Sequence, residues 1–263
     1  GRFNTLILMK SFLFVFLWCF SSFGQTTQLT YQYTDDNDFT CESHLFLKGK
    51  ESLFIIKDPR MEKNNENSSG TIYKLYNDKW SRIFYSSEQQ NLTRIPLYGK
   101  EFVYQSGQLV TAKKLTGKTK KIAGYACQEI LVTKGGRKYS VWYTTDVPLV
   151  AAPLNLAIAP GLVVEVRDLD SQHFKVSLQK ISKTANLKEF ESYKNYILSK
   201  SAKTYPVYEK EIIQLLVNTK KDNFALMAKF NAVFEVDENQ SFYTVHVVDI
   251  PVNLVPTLQK ITK

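Results

Sequence analysis

Residues 121–168 read KIAGYACQEILVTKGGRKYSVWYTTDVPLVAAPLNLAIAPGLVVEVRD, and how this stretch folds decides the architecture. Apolar runs of strand length are divided by Gly124, by Gly135-Gly136 and by Pro160-Gly161. From Arg137 to Tyr143 the side chains alternate, with Tyr139, Val141 and Tyr143 on one side and Lys138, Ser140 and Trp142 on the other. That period of two is what a half-buried strand requires. Gly135-Gly136 predicts a two-residue hairpin turn. Gly117 and Gly124 punctuate the strands before it, and Gly124-Tyr125 turns the chain into the strand carrying Cys127. Proline fixes φ and glycine accepts a positive one, so Ala159-Pro160-Gly161 is expected as a type II turn. Gly124, Pro160 and Gly161 are thus structural turn residues, after which LVVEV (162–166) and HFKVSLQKI (173–181) form another hairpin.

The same grammar extends outward. LTYQY (29–33) alternates, FTCESHLFLK (39–48) and ESLFIIK (51–57) make a hairpin around Gly49, and aromatic-rich strands follow at 71–87 and 101–107. Residues 58–70, DPRMEKNNENSSG, carry no apolar period and read as an exposed loop. Past residue 183 the pattern changes: Leu187, Phe190, Tyr193 or Tyr196, and Ile197 recur at helical spacing over 187–200. Residues 208–221 offer a second helix or a strand, and 223–252 return to hairpin spacing. The expectation is a mainly β protein, a curved antiparallel sheet or open barrel of consecutive hairpins, with a helical insertion near 187–217.

Residues 9–24, MKSFLFVFLWCFSSFG, have the form of a secretory signal peptide, with 1–8 read as read-through ahead of Met9. Its apolar run is shorter than the roughly 20 residues that span a bilayer. Cleavage is expected after Gly24, leaving 25–263 as a single β-rich domain in the periplasm or secreted, with no transmembrane segment. Trp18 stands where a lipoprotein signal needs a small residue before Cys19. The formal net charge is +9, with Arg2 and Lys10 inside the excluded segment. The lysines fall in small groups such as Lys113-Lys114 and Lys118-Lys120-Lys121, without the continuous base-reading face of a nucleic-acid binder. Contact with anionic headgroups or polysaccharide suits this charge better.

The chemistry-bearing residues are few. His44, His173 and His246 each stand alone in a strand-like run, and a zinc site needs several convergent ligands. The acidic turn Asp35-Asp36-Asn37-Asp38 lacks the ligand order of an EF-hand. There is no G-x-S-x-G elbow or H-E-x-x-H helix. No catalytic residue, metal or cofactor is expected, and the nearest carboxylate pair, Glu165 with Asp168 or Asp170, flanks Arg167, which reads as an ion pair. Cys41 and Cys127 are candidates for a disulfide in an oxidising compartment, two buried free thiols being the alternative. Trp142 must either pack under a loop or form a binding surface. The connection from Pro148 to Ala159 is unusually apolar for an exposed loop. Trp142, Tyr143, Leu154, Leu156, Ile158 and Leu162 are therefore the candidate ligand-binding residues.

The phrases IAGYACQEI, RKYSVWYTTDVP and APGLVVEV resemble the GLPGLI family of exported Bacteroidetes proteins, whose namesake stretch reads Ile158-Ala159-Pro160-Gly161-Leu162-Val163 here. The matching positions are Gly124, Tyr125, Cys127, Arg137, Trp142, Tyr143, Pro148, Pro160, Gly161 and Leu162, and the likeness covers about 29–182, with 183–263 as an extension. The chain departs from the pattern at Ala152-Pro153 and at Ile158-Ala159. The resemblance implies an exported β-rich protein and no particular activity. The first expectation is a binding module for an apolar or lipid-like ligand. The second is an envelope protein docking a partner through 58–70 and 144–160, and the third is a hydrolase without a recognisable motif.

Overall fold

The structure is a computed structural model that describes residues 26–35, 38–57, 65–66, 72–73, 82–97, 100–105, 110–134, 137–170, 174–200, 203–204, 218 and 222. The expected signal peptide, most of the 58–70 loop, Asn77-Asp78, Gly135-Gly136, His173, His246 and nearly all of the chain past 204 lie outside these residues.

The strands follow the alternation read in the sequence. They are β1 (Thr27–Asp35), β2 (Thr40–Lys48), β3 (Glu51–Ile56), β4 (Asn65–Glu66), β5 (Ile72–Tyr73), β6 (Arg82–Ser86) and β7 (Asn91–Leu97). Then come β8 (Lys100–Gln105), β9 (Val110–Ile122), β10 (Tyr125–Lys134), β11 (Arg137–Thr144), β12 (Leu162–Asp168) and β13 (Phe174–Ser182). Helix α1 (Leu187–Ser199) and β14 (Lys203–Thr204) follow. β4 and β5 pair with each other, and the other twelve strands form one sheet in the order β14-β8-β7-β6-β3-β2-β1-β13-β12-β11-β10-β9. Every pairing in that sheet is antiparallel except the parallel contact of β14 with β8. The expected curved antiparallel sheet is present, and it does not close into a barrel.

The order has one long jump. The chain walks outward from β1 to β8, then begins again at β9 on the opposite edge and walks back to β13, which pairs with β1. Only residues 106–109 separate β8 from β9. Five residue steps reach about 18 Å, whereas ten strand spacings across a flat sheet would cover about 48 Å. The sheet must therefore curl until its two edges approach each other.

Its inner face is apolar. Ile130, Val141, Val166, Val176, Tyr33 and Cys41 lie opposite one another across successive strands, as do Leu29, Leu45, Phe54 and Phe84. All are buried in one cluster. Outer positions on the same strands differ, with Gln32 and Arg167 exposed. Tyr31 reaches along the inner face to donate its hydroxyl to the Val163 carbonyl at 2.7 Å.

The outer face is apolar where α1 covers it. Phe46, Ile55, Ile83, Phe190 and Ile197 are fully buried there. Asn186 caps the helix, its side chain accepting from the Glu189 N–H at 3.1 Å, which satisfies one of the amide donors orphaned in a first turn. The expected helix over 187–200 is present, with one correction: Leu187 is 49% exposed, while Phe190 and Ile197 carry the packing. Among the described residues no helix is long and apolar enough to cross a membrane.

Candidate functional site

The glycine turns sit where expected, for partly different reasons. Ile122 pairs with Tyr125, so Ala123 (φ 49) and Gly124 (φ 89) form a two-residue hairpin loop of the type that needs positive φ at both positions. Gly117 (φ 75) does not end a strand: it lies within β9, in a bulge where the register moves from Gln128 opposite Thr119 to Ile130 opposite Leu115. Gly161 is not among the positive-φ glycines, so the predicted type II turn is not formed. Glycine is required there because a Cβ would lie 2.2 Å from the Thr144 carbonyl oxygen. The left-handed turn falls earlier instead, at Leu154 (φ 60) and Asn155 (φ 53), closed by the Leu156 N–H donating to the Pro153 carbonyl at 3.1 Å.

The Pro148–Ala159 connection is not a surface loop. Ala151, Ala152, Leu154, Leu156 and Ala159 are buried, and Ile158 packs against the same cluster. Tyr143 and Leu162 join them, so these ligand-binding candidates lie together in the interior. Lys134 donates to the Asn155 carbonyl at 3.3 Å and Lys113 to the Ile158 carbonyl at 3.1 Å. Val163 donates to Ala151 at 2.8 Å. At its tip Leu154 is 1% exposed and Leu156 0%, so no water-sized void adjoins them. The segment packs its own side chains against the inner face of the sheet.

Trp142 is the exception among the candidates. It lies on the outer face, opposite Glu129 on one side and Glu165 on the other. It is 8% exposed and belongs to the buried cluster, and the Lys120 ammonium stands 4.2 Å from its ring centroid. Lys120 also pairs with Glu165 at 3.1 Å, and Arg167 reaches the same carboxylate at 3.8 Å, as the ion-pair reading of this strand anticipated. Glu129 accepts from the Ser140 hydroxyl at 2.6 Å and faces Lys118 at 3.7 Å. These partners outweigh its burial and lower its pKa. Glu129 and Glu165 are thus each held by a cation and a hydroxyl, which offsets the cost of burying them, and the lowered pKa keeps Glu129 ionised at neutral pH.

Cys41 and Cys127 are both buried thiols not bridged to each other, which corrects the candidate disulfide. They sit on β2 and β10, with β1, β13, β12 and β11 between them in the sheet. Burial raises the Cys127 thiol pKa, which keeps it protonated and inert.

Sequence reasoning missed a polar cleft of about 690 Å³ where α1 begins. It is lined by Gln28, Thr30, Glu42, His44, Lys180 and Glu189 among others. His44 Nε2 meets Glu42 at 2.7 Å, and its Nδ1 lies 3.4 Å from Glu189, which Lys57 also contacts. Glu189, then Glu42, raise the His44 pKa against the opposing effect of burial. His44, followed by Lys57, holds Glu189 down at about 2. The only available signal was His44 standing on the polar side of an alternating strand; its partner lies 145 residues away and has no local mark. Among the described residues no group of three or more metal-ligating side chains comes together.

These features define a class: an open, curled antiparallel sheet, backed by one helix and filled on its inner face by its own connecting segment. A family model for the N-terminal domain of N-glycanase peptide matches residues 99–206. No curated protein matches the chain. Among solved structures, PNGF-II in space group P21 is similar at 16% identity and a TM-score of 0.42, over 69% of this chain and 31% of that one. The chain thus spans about a third of the PNGF-II length. An uncharacterised conserved protein from Thermus thermophilus is similar at 10% identity and a TM-score of 0.36, over 70% and 91% of the two chains. A LolA superfamily protein from Nitrosomonas europaea follows at 9% and 0.24, over 67% and 93%.

Proposed function

We propose that the protein is an exported, non-catalytic binding module of the cell envelope that holds an apolar, lipid-like ligand against the inner face of its sheet. The carrying observation is the Pro148–Ala159 segment: it is apolar, largely buried from Ala151 onward, and turned by Leu154 at φ 60. A left-handed conformation costs an ordinary side chain about 1–2 kcal/mol. Such a segment is a removable filling, and an acyl chain entering between β10–β12 and β1–β3 would replace its contacts in kind. Export, and the resemblance to the GLPGLI family, belong to this proposal. The match of residues 99–206 to a domain named for its N-terminal place in an N-glycanase supports an accessory role over a catalytic one. Native mass spectrometry of protein purified from its own envelope, with lipid extraction, is the test. A stoichiometric apolar adduct that is lost when Leu154 and Leu156 are exchanged for bulkier Phe is expected. Ligand-free protein under gentle purification would overturn the reading.

A second reading, docking of an envelope protein, is favoured by Val150, which stands 66% exposed beside the buried part of the same segment. Cross-linking in the native envelope distinguishes the two. A single stoichiometric partner joined through 144–150 supports docking, and its repeated absence counts against it.

A further inference from the structure

Among the described residues β9 is the longest strand and has a hydrogen-bonded neighbour, β10, on one side only. Five lysines fall within 113–121, at Lys113, Lys114, Lys118, Lys120 and Lys121, and no acidic residue occurs from 106 to 128. All five are exposed, and so is Leu115 between them, at 63%. Lysines on an edge strand discourage pairing with other chains, but that purpose explains neither their number nor an exposed leucine among them. Lys118 and Lys120 meet Glu129 and Glu165, so two carboxylates temper the outward charge without cancelling it.

Two features describe the occupant. Strand side chains alternate between faces, so the lysines spread to both sides of the edge: Lys113 reaches under the inner segment to Ile158, whereas Lys120 lies over Trp142 on the outer face. Cations placed on both flanks of a ridge suit a plane on which that ridge stands. A strand of this length extends about 43 Å, enough to cross several headgroups. An added peptide strand would need an unbroken ladder, and the bulge at Gly117 interrupts it midway.

We propose that the β9 edge is a docking surface for an anionic lipid bilayer, its lysines meeting the headgroups and Leu115 entering among them. None of the ligand-binding candidates lies on β9, although Lys113 reaches Ile158 and Lys120 lies over Trp142.

Vesicle co-sedimentation of the protein, as purified from the envelope fraction of its expression host, tests this with phosphatidylcholine vesicles with and without phosphatidylglycerol. Binding to the anionic vesicles alone, weakening as salt rises, is expected. Lys114→Gln and Lys121→Gln leave every contact described above in place, and each is expected to weaken binding about fivefold. Leu115→Ser should weaken it further at all salt concentrations, with the melting temperature unchanged. Equal binding to neutral vesicles, or anionic binding indifferent to the two lysine variants, would overturn the proposal. Binding of polyglutamate without binding of anionic vesicles would also overturn it, in favour of an acidic protein partner.

Discussion

At Gly161 the backbone passes so close to Thr144 that a methyl group has no room, whereas at Gly124 a Cβ would meet nothing within 4 Å and only the positive φ resists it. The two glycines look alike in sequence but should answer differently to alanine. Gly161→Ala forces backbone apart in the core and is expected to cost about 1–3 kcal/mol or more, and Gly124→Ala about 1 kcal/mol. Urea unfolding of both variants checks the order, and a larger loss at Gly124 would contradict the close approach described here. His44 gives a second prediction, in pH. Its folded pKa is raised, so its contribution is complete below the unfolded value of about 6.5 and is lost as pH climbs through the higher folded one. The Glu189 pKa is lowered, so its contribution is complete above 4.5 and is lost as pH falls toward about 2. The contact between α1 and β2 is therefore firmest between about pH 4.5 and 6.5. Thermal melts across pH should show a stability loss above that window that His44→Gln flattens; an unchanged alkaline limb in the variant would remove His44 from the account.

Helix α1 was legible because Phe190, Tyr193 or Tyr196, and Ile197 recur at helical spacing. Its seat was not, since the residues it covers, Phe46, Ile55 and Ile83, alternate in strands with inner-face residues that are equally apolar. Strands apolar on both faces do not announce which face takes the helix. Phe190→Ala is expected to destabilise by about 3–5 kcal/mol and Asn186→Ala by about 1 kcal/mol, read by chemical denaturation; equal effects would mean the cap and not the packing holds α1. β9 shows the opposite failure of local signals. Gly117 reads as a strand end, yet the strand continues through it because a bulge absorbs the extra residues opposite Glu129. The same bulge brings Lys118 and Lys120 to Glu129 and Glu165, and with them the cation over Trp142. The partner of Trp142 was therefore unreadable without the register.

For the molecule as a whole, the hairpins could be counted from glycines and alternation, but their order could not. Ser106-Gly107-Gln108-Leu109 looks like any hairpin turn, and the strands on either side of it lie at opposite ends of the sheet order. Nothing local distinguishes a turn between neighbours from a step across an open seam. The apolar connection from Pro148 to Ala159 was legible as anomalous, but whether solvent, a ligand or the protein itself would meet it depended on a curl that only long-range pairing creates. Because the strand pairings define the curl, extending residues 106–109 by a dozen glycine and serine residues is expected to cost only about 1 kcal/mol of loop closure. Denaturation of that insertion variant checks it, and collapse of the fold would show that the connection holds the sheet together. With its natural length, the connection acts on the seam as a rivet acts on a fan. It keeps Gln105 at the end of β8 within about 18 Å of Val110 at the start of β9, so widening of the sheet is limited at that corner and meets no such limit at the far ends of the two strands.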